Sequence, residues 1–141
     1  MKRNTLFLLG FAVLLCMGNG CPVSVSPDTA SVRLMNNTMF PVQVTIYYSG
    51  YQNILEELLE SVGTKYEATI PAGGSEYFSR DCEELQAITI QEAKMVIVGD
   101  VGPSTDSPVY RDGTDFGCGD TLTFTFTQPP LPTELNVAFN N

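Results

Sequence analysis

From Ser31 onward the chain is dominated by alternation of apolar and polar positions. "TLTFTFT", residues 121–127, is its clearest case, with Leu122, Phe124 and Phe126 separated by threonines. A period of two places those three side chains on one face of a strand, and that face must be the core face. "VQVTIYY" repeats the pattern, setting Val42, Val44 and Ile46 against Gln43, Thr45 and Tyr47. "SVRLMN" precedes it, joined through "NNTMFP", whose Asn and Pro are turn formers. Further strand signals follow at short intervals: "KYEATI" and "SEYFSR" flank a "PAGG" turn, and "LQAITI" and "KMVIV" flank "QEA". After the Pro-rich "QPPLP", which cannot donate to a ladder, "ELNVAF" supplies a last strand with Leu135, Val137 and Phe139 inward.

One segment departs from this rhythm. In "NILEELLESVG" Asn53 is placed to cap a helix and Glu56 to complete a capping box. Ile54, Leu55, Leu58, Leu59 and Val62 form an apolar stripe, and Gly63 stands where a helix ends. Glu56, Glu57 and Glu60 read as its solvated face. Seven or eight strands with one short helix near 53–62 predict an all-β fold. The expected architecture is an antiparallel β-sandwich, Ig-like in layout, with a small β-barrel as the alternative.

The start of the chain has a different character. Lys2 and Arg3, the apolar run Leu6 to Leu15 and the small, polar Met17 to Gly20 make residues 1–20 an export signal. The run is too short for a transmembrane helix, which needs about 20 apolar residues, and Cys16 leaves with the signal. "CPVSVSPDTA", residues 21–30, reads as a tether, and residues 31–141 as a single domain.

Cys21, preceded by Gly20, resembles the cysteine of a bacterial lipoprotein signal, which is acylated before cleavage. Where that pattern has an aliphatic residue three positions ahead and a small one two ahead, this chain has Gly18 and Asn19. The resemblance implies lipidation at Cys21 and a membrane anchor in the bacterial cell envelope. Lipidation also removes the odd thiol of an exported chain, leaving Cys82 and Cys118 as a disulfide pair. Ordinary signal cleavage, leaving Cys21 as a free or intermolecular thiol on a secreted protein, stays open. The body as a whole resembles the small envelope lipoproteins of planctomycete type, in its signal, its acidic β domain and its late cysteine pair.

Charge narrows the partners. The whole-chain net charge of −9 becomes more negative once Lys2 and Arg3 leave, so a nucleic-acid partner is not expected. A cationic protein or divalent ions suit it better. In the loop from Gly99 to Gly119, Asp112 and Asp115, with Asp120 just beyond, are hard oxygen ligands on which a calcium site could be built; Asp and Gly are equally the vocabulary of turns. Tyr47, Tyr48 and Tyr51 in "YYSGY" are a candidate contact surface, their alternative being strand core and edge cover.

No catalytic residues are assigned. The chain has no His, which removes His-based triads, and it lacks GxSxG, P-loop and SxxK patterns. The expectation is a non-enzymatic, lipid-anchored envelope protein with a structural or protein-interaction role and no cofactor. The alternative is a ligand-binding module or inhibitor whose acidic surface captures calcium or a cationic protein. "SGY" at Ser49 to Tyr51 is similar to part of the motif of envelope-anchored lysozyme inhibitors.

Overall fold

The computed structural model describes residues 28–99 and 102–141. The export signal, Cys21 and most of the tether lie outside those residues. Nine strands and one helix occur in the order β1 (Thr29–Asn36), β2 (Val42–Ser49), α1 (Glu56–Val62), β3 (Thr64–Ile70), β4 (Ser75–Asp81), β5 (Ala87–Met95), β6 (Ser104–Thr105), β7 (Tyr110–Arg111), β8 (Thr121–Thr127) and β9 (Asn136–Asn140). They build two layers. One sheet has the order β4-β1-β8-β9; in the other β3-β2-β5 is extended by β6 and β7, both pairing with β5. The result is an all-β sandwich and not a closed barrel.

The alternating strands fill the space between the layers. Val32 and Leu34 of β1, Val42 and Ile46 of β2, and Leu122, Phe124 and Phe126 of β8 are fully buried, and Val44 nearly so. Tyr110 closes one flank, its ring stacked 3.9 Å from that of Phe139 and edge-on to Phe124. Tyr66 packs 4.2 Å from Phe78.

Several local expectations are corrected. β1 begins at Thr29, so the tether is shorter than residues 21–30, and Ala30 is already in the core. β1 pairs antiparallel with β4 but parallel with β8, so the sandwich is mixed and not wholly antiparallel. β1 and β2 lie in different sheets, as do β3 and β4, so "NNTMFP" and "PAGG" carry the chain across the sandwich. Gly73 supplies the left-handed residue of the second crossing at φ 68°.

"LQAITI" and "KMVIV" do not form two strands. β5 runs without a turn from Ala87 to Met95, and its register against β2 shifts where Thr45 faces Glu92 but Ile46 faces Ile90. Gln91 is the extra residue of a β-bulge, which reverses the phase of alternation and so looks like a turn in sequence. The long loop is also less irregular than expected. It lies along β5, where Ser107 is buried; its hydroxyl accepts the Ile90 N–H at 3.0 Å and its carbonyl accepts from Thr89 Oγ1 at 2.8 Å.

The distal end of the sandwich, where β1 finishes, is closed by Asn36. Its fully buried amide donates to the carbonyls of Phe40 (2.8 Å), Ile70 (3.0 Å) and Pro71 (3.1 Å), while Oδ1 accepts the Thr38 N–H at 2.9 Å. One side chain thus ties together the two crossings at this end, β1 to β2 and β3 to β4.

Candidate functional site

The opposite, proximal end is where the described chain comes in. Cys82 N–H donates to the Asp28 carbonyl at 2.8 Å and Gly119 N–H to the Thr29 carbonyl at 3.2 Å. Cys82 and Cys118 themselves are joined, with Cα atoms 5.5 Å apart. The disulfide therefore brackets the point at which β1 begins.

The segment Gly50–Gly63, carrying α1, occupies the same end. Gly50 packs so closely on the turn after Cys82 that a Cβ at this position would lie 2.4 Å from the Glu83 carbonyl oxygen, so only glycine fits. Beyond it the backbone is clamped by the β7 turn. Arg111 donates to the Ile54 carbonyl at 2.9 Å and to that of Gln52, and the Gln52 side-chain amide donates to the Asp112 carbonyl.

α1 is shorter than expected, starting at Glu56, and the capping-box reading of Asn53 and Glu56 is corrected. The N-cap is Leu55, with no side-chain cap hydrogen bond. Glu56 and Glu57 still favour the first turn through the helix dipole, and Gly63 N–H closes the other end on the Leu59 carbonyl at 2.9 Å.

The apolar stripe divides. Ile54 and Leu59 are buried against Ala87, Tyr47 and Val109 on the outer face of the second sheet. Leu55, Leu58 and Val62 are 62%, 48% and 66% exposed, and Tyr51 is 75% exposed. The helix is too short, and its seat on the sheet too small, to cover all five.

Beside α1 lies an open groove of about 640 Å³ lined by Tyr48, Tyr51, Thr64, Arg80, Glu83 and Glu84. Arg80 is its cation. Its Nε donates to the Tyr48 hydroxyl at 2.7 Å, and its guanidinium carbon sits 5.5 Å from the Tyr48 ring centre and 5.4 Å from that of Phe78. The hydrogen bond to Tyr48, with Glu84 nearby, raises the Arg80 pKa and holds it as a cation.

The three tyrosines do not form one platform. Tyr48 faces the core and is buried, Tyr47 packs under α1 on the opposite face, and Tyr51 alone stands in solvent. The aspartates are likewise apart in role. Asp115 Oδ2 accepts the Arg111 N–H at 2.7 Å and Asp120 Oδ2 the Gly117 N–H at 2.6 Å, so both carboxylates close turns. Among the described residues no group of three His, Cys, Asp or Glu is placed to hold a metal ion. Asp112, Asp115 and Asp120 are therefore not assembled into the calcium site considered from sequence.

The resolved pKa shifts are all upward: Lys65 through its hydrogen bond to Glu67, Arg80 through Tyr48, and Tyr66 and Tyr110 mainly through burial. Each group moves further from neutrality, whereas a general acid or base works with a pKa near the operating pH.

Sequence reasoning missed Leu55, Leu58 and Val62 as surface residues, and Arg80 and Arg111 as organisers of this end. The helical spacing located the apolar residues but could not say which of them meet the sheet.

No protein-family model and no curated protein sequence matches this chain. Among solved structures, it is similar to a protein from Eubacterium rectale determined by NMR. The identity is 12% over 86% of this chain and 96% of that one, with a TM-score of 0.51. That likeness is one of fold. The T6SS lipoprotein TssJ1 from Pseudomonas aeruginosa matches 82% of this chain and 98% of its own at 10% identity and TM-score 0.40. The cytotoxin suilysin from Streptococcus suis matches 81% of this chain and 23% of its own at 7% identity and TM-score 0.42. Neither of these two scores reaches the level of a shared fold.

Proposed function

We propose that this chain is a non-enzymatic protein of the bacterial envelope, anchored by an acyl group on Cys21, that acts through contacts of its surface. One observation carries the reading: β1 begins at Thr29, a few residues beyond Cys21, at a point bracketed by the Cys82–Cys118 disulfide. A domain held from its N-terminus needs that point fixed, because any pull on the tether is applied there first. The export signal and the even cysteine pair left after acylation support the same reading.

Intact mass of the protein isolated from the membrane fraction of its own host, with and without reductant, tests this. The expected species starts at Cys21, carries acyl mass, and gains two further thiols only on reduction. An unmodified N-terminus in the soluble fraction would sink the anchored reading.

A second reading, capture of a cationic protein, is favoured by the carboxylates of Glu56, Glu57 and Glu60 on α1 and Glu83 and Glu84 in the adjoining groove. It is better supported than capture of calcium, since Asp115 and Asp120 already accept backbone N–H groups. A basic protein that binds should raise the melting temperature by mass action; no shift at saturating concentration argues against it.

A further inference from the structure

The surface of α1 is divided lengthwise. At about 100° per residue, Leu55, Leu58 and Val62 fall to one side of the buried Leu59, and Glu56, Glu57 and Glu60 to the other. The apolar three stand at i, i+3 and i+7, all exposed, with Tyr51 exposed just ahead of them. Among the described residues the other large apolar side chains in solvent, Met39, Tyr77, Val98 and Leu131, lie singly on four separate segments. Scattered residues need no explanation, but an ordered apolar row along one helix does.

Its position indicates what covers it. Asp28 is hydrogen-bonded to Cys82, and the next residue, Glu83, touches Gly50 at the start of the segment that carries α1. The row and the incoming chain thus share the proximal end. Seven residue steps separate Cys21 from Asp28, a reach of at most about 25 Å even when fully extended. A bilayer holding Cys21 is therefore a surface this end must meet repeatedly.

We propose that Leu55, Leu58, Val62 and Tyr51 are the membrane-contacting surface of the domain, resting in the headgroup layer of the bilayer that holds the anchor. This inference rests on the lipoprotein reading. Tethering raises the effective concentration of the surface, so a contact too weak to recruit a free protein is enough to orient an anchored one. Aliphatic side chains with a neighbouring Tyr match the chemistry of the bilayer interface. The acidic flank sets the lipid preference. Glu56, Glu57 and Glu60, with Glu83 and Glu84 nearby, are repelled by anionic headgroups within a Debye length, so zwitterionic lipid is favoured.

Cys21 is the one cysteine of residues 21–141 outside the disulfide, so its thiol can be coupled to a maleimide phospholipid. Hydrogen exchange of the 55–62 amides is then compared on phosphatidylcholine vesicles, on vesicles containing phosphatidylglycerol, and without vesicles. Exchange should slow about tenfold on phosphatidylcholine, equivalent to about 1.4 kcal/mol, and less on the anionic vesicles. Leu58→Ser with Val62→Ser should abolish the slowing while exchange in β2, β5 and β8 stays unchanged, and Glu57→Ser on the other flank should keep it. Equal exchange with and without vesicles overturns the proposal. So does slowing that needs no lipid and grows with protein concentration, which would give the row to a second copy, or slowing produced only by an added basic protein. Acylated Cys21 in the native protein with no slowing defeats this inference alone; an unmodified Cys21 defeats the anchored reading and this inference together.

Discussion

At the distal end of the sandwich, the buried amide of Asn36 gathers the carbonyls of Phe40, Ile70 and Pro71 and the N–H of Thr38. At the proximal end, the corresponding work is done by the Cys82–Cys118 bond and by Arg111 reaching the carbonyls of Gln52 and Ile54. The distal device is a single side chain in the interior that aims every polar group inward. The proximal one is spread over the surface and holds a helix that buries Leu59 but leaves Leu55, Leu58 and Val62 outward. Fixing the backbone from the flank as well as through Leu59 beneath leaves the outer face of α1 free for contact.

Breaking the distal device should have the largest effect. Asn36→Leu strands three carbonyls and an N–H away from their partner, and a loss of about 3–5 kcal/mol is expected in chemical denaturation. If the midpoint hardly moves, water can replace the amide and the distal end is not locked by it. Cys82→Ser with Cys118→Ser comes next. The pair spans 36 positions, for which the chain-entropy model gives about 3–4 kcal/mol. Hydrogen exchange should then rise first at Asp28 to Ala30 and around Gly119, with Asn36 still protected. Uniform acceleration at both ends would contradict the separation.

Arg111→Met is a smaller change, expected to cost about 1–3 kcal/mol and to loosen residues 52–62 in particular. Alkaline pH sharpens the comparison from the body between the ends. Burial raises the pKa of Tyr66 and of Tyr110 above the ordinary value near 10. For a group whose folded pKa exceeds its unfolded one, the associated stability is complete below the unfolded value, here about pH 10. It is lost as pH rises through the folded values. Melting temperature should therefore fall as pH rises above about 10. Because Tyr66 leans on Phe78 and Tyr110 on Phe139, both ends should open together there. The smallest effect belongs to Leu58→Ser, an exposed site, which should change stability by no more than about 0.5 kcal/mol. A larger loss would mean that Leu58 packs on the domain and is not presented by it.

How much of this could be read from sequence depends on whether local pattern and burial coincide. They coincide in β8, where Leu122, Phe124 and Phe126 alternate without interruption and are all buried. In β5 they conflict, because the bulge at Gln91 reverses the pattern inside one continuous strand. In α1 the pattern is helical and the apolar residues are where expected. Burial, however, is decided by the small patch of Tyr47, Ala87 and Val109 beneath them. That patch comes from three distant parts of the chain, and no periodicity within "NILEELLESVG" encodes it. The clamp by Arg111 is hidden for the same reason, its acceptors being backbone carbonyls. The disulfide partners were within reach because the chain holds only four cysteines.

The parallel pairing of β1 with β8 governs when the domain can form. Ser31 lies beside Thr121, nearly the whole length of the domain further on, while the other neighbour of β1, β4, lies near the middle of the chain. Until the C-terminal third of the chain has appeared, the first strand lacks one of its two partners, and the core around Phe124 does not exist. Contacts this distant in sequence slow folding. A chain that emerges from its N-terminus therefore holds its leading strand with one neighbour at most, β4, and without a completed sheet until almost the whole domain is present.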